Sequence, residues 1–312
     1  MKTLMLTNLL LITAIVISAQ QSDSIKITGP YIGQDPPGMM PEVFAPGFIS
    51  TMEYGELNAV FTKNGNEFYF SRRGVPEKYS TIMVTSQVNG RWSNHEPVSF
   101  SGIKNDIDLF ITANGKSMVF CSYDKKSGDA GSYPNHDFWI SHRVDESWTS
   151  PVPFAGEAIS EYEDYFPVIT ANGNLYFNSQ RGGPGTNDIY VSKYLNGNYA
   201  TPEKLPEPIN TPYREFDAFV AQDEGLMIFS SENPGGYGGS DLYISHKMED
   251  GSWSEPLNLG EPVNSEFWEY GATISPDGKY LFFTSSRNGT EDIFWVSIKI
   301  IEEIRSEETQ DQ

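Results

Sequence analysis

The stretch ISPDGKYLFFTSSRNGTEDIFWVS, residues 274–297, contains the pattern that decides the fold. Asp277-Gly278 is a hairpin turn signal, and the apolar run YLFFT that follows it alternates as a half-buried strand does. A glycine-containing loop then leads to a second apolar run, DIFWVS. The stretch therefore predicts two strands joined by a tight turn, then a loop and a third strand. Only a short charged tail follows it.

This pattern is repeated five times along the chain. The turn glycines are Gly65, Gly115, Gly173, Gly225 and Gly278. They precede the runs EFYFS, SMVFC, NLYFN, LMIFS and YLFFT, and each run is followed by a loop and another strand-like run. Four-stranded antiparallel units of roughly 50 residues are typical of β-propeller blades. A β-sandwich or a solenoid is the alternative, but a sandwich would not repeat its turn residues so regularly.

The last repeat lacks one element that the other four have. The first four end in an aromatic residue and a proline: Trp92 with Pro97, Trp148 with Pro151, Tyr199 with Pro202 and Trp253 with Pro256. The N-terminal segment MMPEVFAPG, residues 39–47, has a similar alternation of apolar residues and prolines. An open ring would leave unpaired strand edges that invite aggregation.

We therefore predict an all-β protein, a single β-propeller of five four-stranded blades. Residues 38–48 close the ring by pairing with the strand of Phe294 and Val296. Six blades are the alternative, although residues 20–52 are too few for four strands.

The quoted stretch and the third repeat, ITANGNLYFNSQRGGPGTNDIYVS (residues 169–192), resemble a known family. Their Ser-Pro-Asp-Gly turn, Ser-x-Arg and Asp-Ile-Tyr elements are similar to the WD40-like repeats of TolB-type propellers. The resemblance covers roughly residues 41–297. It implies the fold and an exported or envelope-associated scaffold. It does not imply a particular chemistry, because one fold hosts many functions.

Two side chains recur with this repeat. The aspartates before the third strand are Asp137, Asp188, Asp241 and Asp292, and the arginines after the second strand are Arg181 and Arg287. They are interpreted as structural residues that hold the loop between these strands, because short Asp side chains accept backbone N–H groups and Arg can pair with them. The alternative is a ligand-binding set.

The termini and the composition indicate where the protein works. Residues 1–20 have the charged start, apolar run and small residues of a secretory signal peptide. Residues 21–37 are predicted to be a lead, 38–300 the propeller, and 301–312 an acidic disordered tail. The expected location is secreted or periplasmic, with no lipoprotein cysteine near the cleavage site and no membrane span in the mature chain. The formal net charge of −21 argues against nucleic acid as a partner.

One set of acidic residues invites a functional interpretation. Nine residues before the turn glycines stand Glu56, Asp106, Asp164 and Glu269, and the fourth repeat has Phe216 there, flanked by Glu215 and Asp217. We call Glu56, Asp106, Asp164, Asp217 and Glu269 the acidic column. Innermost propeller strands line a central channel, so the column is predicted to meet at the channel mouth, where Ca²⁺ suits oxygen ligands. In the alternative, these carboxylates bind backbone at strand starts.

Catalytic signatures such as His-Glu-x-x-His and Gly-x-Ser-x-Gly are absent from the sequence. The function expected is therefore a monomeric, non-catalytic scaffold that binds a protein, peptide or glycan, through loops such as 122–136 and 232–240. The alternative is a carbohydrate-active hydrolase, in which two channel carboxylates act as acid and base.

Overall fold

The computed structural model describes residues 27–74, 79–123, 137–156, 158, 162–183 and 185–304. The predicted signal peptide and most of the 122–136 loop lie outside these ranges. The described chain is almost entirely β-structure, with short helical segments at Tyr31–Gly33, Gly260–Val263 and residues 299–304. None of the helical segments in these ranges is long and apolar enough to cross a membrane.

The strands fall into five antiparallel blades. The N-terminal strand is β1 (Glu42–Val43). Blade 1 contains β2 (Glu56–Phe61), β3 (Glu67–Arg72), β4 (Thr81–Val88), β5 (Arg91–Trp92) and β6 (Glu96–Pro97). Blade 2 contains β7 (Asn105–Ile111), β8 (Ser117–Tyr123), β9 (Asp137–Val144), β10 (Ser147–Trp148) and β11 (Val152–Pro153).

The remaining blades follow the same order from the inside outwards. Blade 3 contains β12 (Asp164–Ile169), β13 (Leu175–Ser179), β14 (Asp188–Ser192) and β17 (Glu203–Lys204), with a side hairpin of β15 (Tyr194–Leu195) and β16 (Asn198–Tyr199). Blade 4 contains β18 (Glu215–Val220), β19 (Leu226–Ser231), β20 (Asp241–His246) and β21 (Leu257–Asn258). Blade 5 contains β22 (Glu269–Ile274), β23 (Tyr280–Ser285) and β24 (Asp292–Ser297).

The fourth strand of blade 5 is supplied by the N-terminal segment. Strand β1 pairs antiparallel with β24, with Glu42 opposite Trp295 and Val43 opposite Phe294. Backbone bonds extend the pairing on both sides, since Phe44 N–H donates to the Ile293 carbonyl at 2.7 Å and Ser297 N–H donates to that of Gly38 at 3.0 Å. The five-bladed ring closed by an N-terminal strand, predicted from the sequence, is confirmed.

Apolar side chains between neighbouring blades form the core. The cluster at the closure contains Phe44 and Ile49 from the N-terminal segment, Phe68 and Phe70 from blade 1, and Trp295 from blade 5. All five side chains are buried. Alternating residues of each strand thus face two different neighbours, and the blades bury both faces of their sheets. This explains why the repeats cannot be stable singly.

Both ends of the described chain pack onto this ring. In the predicted lead, Ile32 is buried, and the Trp92 indole N–H donates to the Gly29 carbonyl at 2.7 Å. At the other end, the helical segment 299–304 buries Ile300 and Ile301 against blade 5. Packed structure therefore reaches a few residues beyond each predicted boundary of the propeller.

Every innermost strand contains a β-bulge, at its third residue in four blades and at its fourth in blade 2. The pairing with the second strand shifts register there in all five blades. The bulge residues have left-handed backbone angles, with φ between 51° and 62°: Asn58, Asp108, Phe166, Asp217 and Gly271. Asn, Asp and Gly tolerate this conformation, whereas a bulky Phe is strained in it. Bulges of this kind re-aim side chains next to functional sites.

Candidate functional site

The bulge residues divide the central channel into two cavities. Innermost strands begin at one face of the ring, among the loops that connect successive blades, and end at hairpin turns on the opposite face. We call these the loop face and the turn face. A cavity of about 460 Å³ opens at the loop face and another of about 570 Å³ at the turn face. Asp108 lines both cavities, so it lies at the partition between them.

The cavity at the loop face, called the polar cavity below, holds charged and aromatic side chains. It is lined by Leu57, Arg73, Ile107, Asp108, Tyr165, Phe216, Asp217, Trp268, Tyr270, Ser286 and Glu291. Its volume lies within the range of small-ligand sites, and a few polar groups among aromatic walls are the usual composition of such a site. These residues come from all five blades, so only the closed ring assembles the cavity.

Asp108 is the better-supported of the two carboxyls at the base of the polar cavity. It is hydrogen-bonded by the Phe166 backbone N–H and by the Asn58 side chain, and the Cys121 thiol, which donates to the Asp164 carbonyl, lies beside it. Burial raises the pKa of Asp108, while the Arg73 guanidinium and these hydrogen bonds oppose the rise. Donors aimed at a carboxylate favour its ionised form, so Asp108 is the member of the pair prepared to carry the negative charge.

Asp217 has a different environment. Its backbone N–H donates to the Asn178 side chain at 3.1 Å, but the described residues place no hydrogen bond on its carboxyl group. Burial raises the pKa of Asp217 well above its ordinary value, and the nearby charge of Asp108 adds to the rise. The pair therefore has one carboxyl suited to ionisation and one suited to holding a proton.

An ion pair and a phenol border the two carboxyls. Arg73 Nε lies 2.6 Å from Glu291 Oε2, and the Tyr270 hydroxyl donates to Glu291 Oε1 at 2.5 Å. Burial alone would lower the pKa of Arg73, but Glu291 and its other neighbours more than offset this and the pKa is raised. Since Glu291 already neutralises much of the Arg73 charge, the Asp108 and Asp217 pair shares this cation with a third carboxylate.

The acidic column occupies other positions. Glu56, Asp106, Asp164 and Glu269 are buried at the first or second residue of their innermost strands, and each is bonded within its own blade. Asp164 accepts two bonds from Arg181, at 3.0 and 3.1 Å. Asp106 accepts bonds from the hydroxyls of Ser101 and Ser122 at 2.6 and 2.7 Å. Of the predicted column, Asp217 is the residue that lines the polar cavity.

In blade 4 the position equivalent to the column belongs to Glu215 rather than Asp217. Glu215 lies opposite Ser231, as Glu269 lies opposite Ser285 in blade 5. The cause is a turn that is one residue longer before Gly225, so counting back nine residues reaches Phe216. Asp217 therefore belongs to the bulge set with Asp108. The predicted Ca²⁺ site stays a prediction. Within the described ranges, no three His, Cys, Asp or Glu side chains are grouped to hold a metal ion.

The recurring aspartates and arginines lie outside the polar cavity. Asp241 accepts backbone N–H bonds from Tyr237 at 2.6 Å and Gly238 at 3.2 Å, and so holds the 232–240 loop. Asp292 accepts bonds from Asn288 and Thr290 in the equivalent loop, and Asp188 pairs with Lys204. Asp137 is half-buried at the start of β9. The arginines pair instead with column carboxylates, Arg181 with Asp164 and Arg287 with Glu269.

Exposed apolar side chains recur on the loop face of the ring, and one of them, Trp268, lines the polar cavity. Each blade places at least one in the loop just before its innermost strand, and we call this set the apolar rim: Met52, Ile103, Tyr162, Tyr213, Phe267 and Trp268. The exposed fractions reach 94% for Met52 and 76% for Ile103. Single exposed apolar residues need no explanation, but recurrence at one position in every blade distinguishes this set from scattered ones. Sequence reasoning missed this rim.

Comparisons with known proteins place the fold among β-propellers. No protein-family model matches the chain, and no curated protein matches it significantly. An endo-arabinase from Bacteroides thetaiotaomicron is similar in structure, with a TM-score of 0.53 and 13% identity over 85% of this chain and 98% of that one. A glycoside hydrolase has a TM-score of 0.53 and 11% identity over 86% and 91% of the two chains. A putative TolB from Agrobacterium tumefaciens has a TM-score of 0.46 and 15% identity over 74% and 70%.

The chain is a five-bladed β-propeller. At identities this low, structural likeness shows the fold alone. What this propeller does has to be argued from its own polar cavity and apolar rim.

Proposed function

We propose that this chain is an exported binding module whose ligand covers the loop face and reaches into the polar cavity. The observation that carries the proposal is the apolar rim, because it recurs in all five blades on the face where a cavity of ligand size opens. Burial of an exposed apolar ring supplies affinity, and the charged groups beneath it supply orientation. A protein, peptide or glycan has the size to contact rim and cavity together. The signal-like residues 1–20 support a secreted or periplasmic location.

Binding screens on the purified chain test this proposal. Peptides displayed on phage and an array of immobilised glycans are the probes. We expect that capture of a selected probe is lost when Tyr213 and Trp268 are both changed to Ser. The matched control changes two exposed residues on the outer hairpin of blade 3, Tyr194→Ser with Leu195→Ser. Equal capture by both double variants, or no capture by the unaltered chain, would overturn the proposal.

A second candidate function is favoured by one specific observation. At the bulge position, blades 2 and 4 carry Asp108 and Asp217, where the other blades carry Asn58, Phe166 and Gly271. Two carboxyls whose surroundings favour opposite protonation states are the usual sign of an acid and a base. In a glycoside hydrolase, Asp217 would protonate the leaving oxygen and Asp108 would act as base or nucleophile. Two of the similar structures bear the names of carbohydrate-cleaving enzymes, which makes carbohydrate the substrate class to test.

A panel of nitrophenyl glycosides and polysaccharides, arabinan included, distinguishes the two functions. Hydrolysis that disappears in Asp217→Asn and in Asp108→Asn would establish the hydrolase. If the glycan probe is bound without turnover, and the same variants change its affinity only, the binding module stands.

A further inference from the structure

We infer that the turn-face half of the channel is a second binding site, which takes a small and largely apolar molecule. The site is the cavity of about 570 Å³ between the bulge residues and the hairpin turns, called the apolar cavity below. It is separate from the polar cavity and does not depend on the proposed function. Its size falls within the range of small-ligand pockets.

A ring of apolar side chains forms the wall of this cavity. The ring consists of one residue from each innermost strand, four residues after the column position: Val60, Phe110, Val168, Phe219 and Thr273. Four of the five are apolar. Phe110 and Phe219 are only half-buried and, like the rest of this ring, they line the cavity. Large apolar side chains that line an open cavity are the feature of a site for an apolar ligand rather than of a core.

Some of the polar residues near the opening are already engaged, whereas Lys63 also lines the cavity and Gln222 Oε1 has no hydrogen-bond partner among the described residues. The Thr112 hydroxyl donates to Asn114 at 2.9 Å, and the Ser275 hydroxyl donates to Asp277 at 2.8 Å, so both are held in their own hairpin turns. At the inner end, the Asp108 carboxyl receives its hydrogen bonds from Phe166 and Asn58. Apart from Lys63 and Gln222, few groups of the described residues on this wall remain to hold ordered water. An occupant therefore gains mostly by burying apolar surface, as an aliphatic chain or an aromatic ring does.

N-phenyl-1-naphthylamine, an uncharged dye whose fluorescence rises in apolar surroundings, is the probe. We expect a saturable rise with the unaltered chain. Ala221 is half-buried in the lining of the apolar cavity, so Ala221→Phe places an aromatic ring in the cavity and should weaken dye binding by about tenfold or more. Ala200→Phe makes the same change at a half-buried position in the outer part of blade 3 and should leave the affinity unchanged.

Two further measurements keep the test decisive. Should Ala221→Phe fail to fold, Ile274→Gln puts a polar group on the half-buried cavity wall and should weaken the dye equally. The Tyr213→Ser, Trp268→Ser variant alters the loop face and should bind the dye normally. The inference is overturned if the unaltered chain shows no saturable rise or if the cavity variants bind as tightly. Loss of the dye in the loop-face variant would also overturn it, because the dye would then lie on the apolar rim.

Discussion

The backbone N–H of Glu56 donates a hydrogen bond of 2.7 Å to the carbonyl oxygen of Glu291, and this bond joins the first blade to the last. The same bond links other neighbouring blades, from Asp106 to Ser80, from Glu215 to Asn187 and from Glu269 to Ser240. At these four junctions it connects the start of the innermost strand to the residue before the third strand of the preceding blade. Closure of the ring therefore uses the same backbone hydrogen bond as other junctions between blades, and the pairing of strand β1 is added to it.

The closure can be tested at Phe44, whose ring is fully buried beside β1. Its centroid lies 5.1 Å from those of Phe68 and Phe282 and 5.2 Å from that of Trp295, so it touches both the first and the last blade. We expect Phe44→Ala to lower the free energy of unfolding by about 3–5 kcal/mol, because it leaves a cavity at the seam. Urea denaturation measures the change.

The control for this prediction is Met40→Ala, since Met40 is exposed in the same segment. It should alter the free energy of unfolding by less than about 0.5 kcal/mol. Deleting residues 38–48 should expose the edge of β24 and shift the chain to larger species on a sizing column. Closure by β1 would be unimportant for stability if Phe44→Ala and the deletion both behaved as the Met40 control does.

The blades and the closing strand could be predicted from the sequence because their signals are local. Asn-Gly and Asp-Gly turns and period-two alternation depend on neighbouring residues, and five copies of the pattern reinforce one another. The missing aromatic-proline element in the fifth repeat led directly to residues 38–48. Helical packing at Ile300 and Ile301 was missed, because six helical residues within a charged tail give no readable period.

A second prediction concerns the acidic column. Asp164 forms a buried ion pair with Arg181, whereas Asp106 is bonded by two serine hydroxyls. We expect Asp164→Asn to cost about 3 kcal/mol, because it leaves a largely buried guanidinium without its counter-charge. Asp106→Asn should cost only about 1 kcal/mol, since an amide oxygen can still accept from the hydroxyls. Equal losses in urea denaturation would contradict this assignment of partners.

The same two substitutions, combined, test the Ca²⁺ site predicted from the sequence. A cation held by the column would stabilise the unaltered chain by about 2.7 kcal/mol at 100 times its Kd. The melting temperature would then rise with millimolar Ca²⁺, fall with chelator, and respond to neither in the double variant. If the melting temperature is the same with Ca²⁺ and with chelator, the column carboxylates serve only to form hydrogen bonds and ion pairs inside each blade.

The polar cavity could be predicted only in part, because the innermost strand of blade 4 is shifted by one residue relative to its turn glycine. Counting from the turn glycine ignored the longer turn in blade 4, so Asp217 was taken for a column residue. A usable signal was present at the bulge position, where four of the five residues, Asn58, Asp108, Asp217 and Gly271, are types that tolerate a left-handed backbone. The pairing of Arg73 with Glu291 crosses the ring closure, so no local pattern contains it.

The third prediction concerns the 232–240 loop, which packs against the apolar rim. A Cβ atom at Gly238 would collide with the backbone carbonyl oxygens of Ser265 and Phe267, and neither can move without shifting the rim. We expect Gly238→Ala to lower the free energy of unfolding by about 1–3 kcal/mol and to change the fluorescence of Trp268. Gly235→Ala, whose Cβ would meet only the Asn233 side chain, at 3.3 Å, is the matched control. A normal spectrum for Gly238→Ala would show that the loop does not position Trp268.

The last prediction uses the raised pKa of Asp217. Burial and the charge of Asp108 hold the folded-state pKa above that of the unfolded chain, so between the two values the folded state binds more protons. Stability must therefore fall as the pH rises from about 4 through the folded-state pKa of Asp217. Asp217→Asn cannot ionise and escapes this loss. We expect its free energy of unfolding to match that of the unaltered chain near pH 4 and to exceed it at pH 8 by about 1–3 kcal/mol in urea denaturation.

The control is Asp145→Asn, at an exposed turn, which should show no such difference. A variant that is destabilised equally at both pH values would mean that Asp217 has a structural partner. A variant that is more stable but has lost its ligand would show that the unpaired carboxyl is kept at a cost in stability for the sake of function.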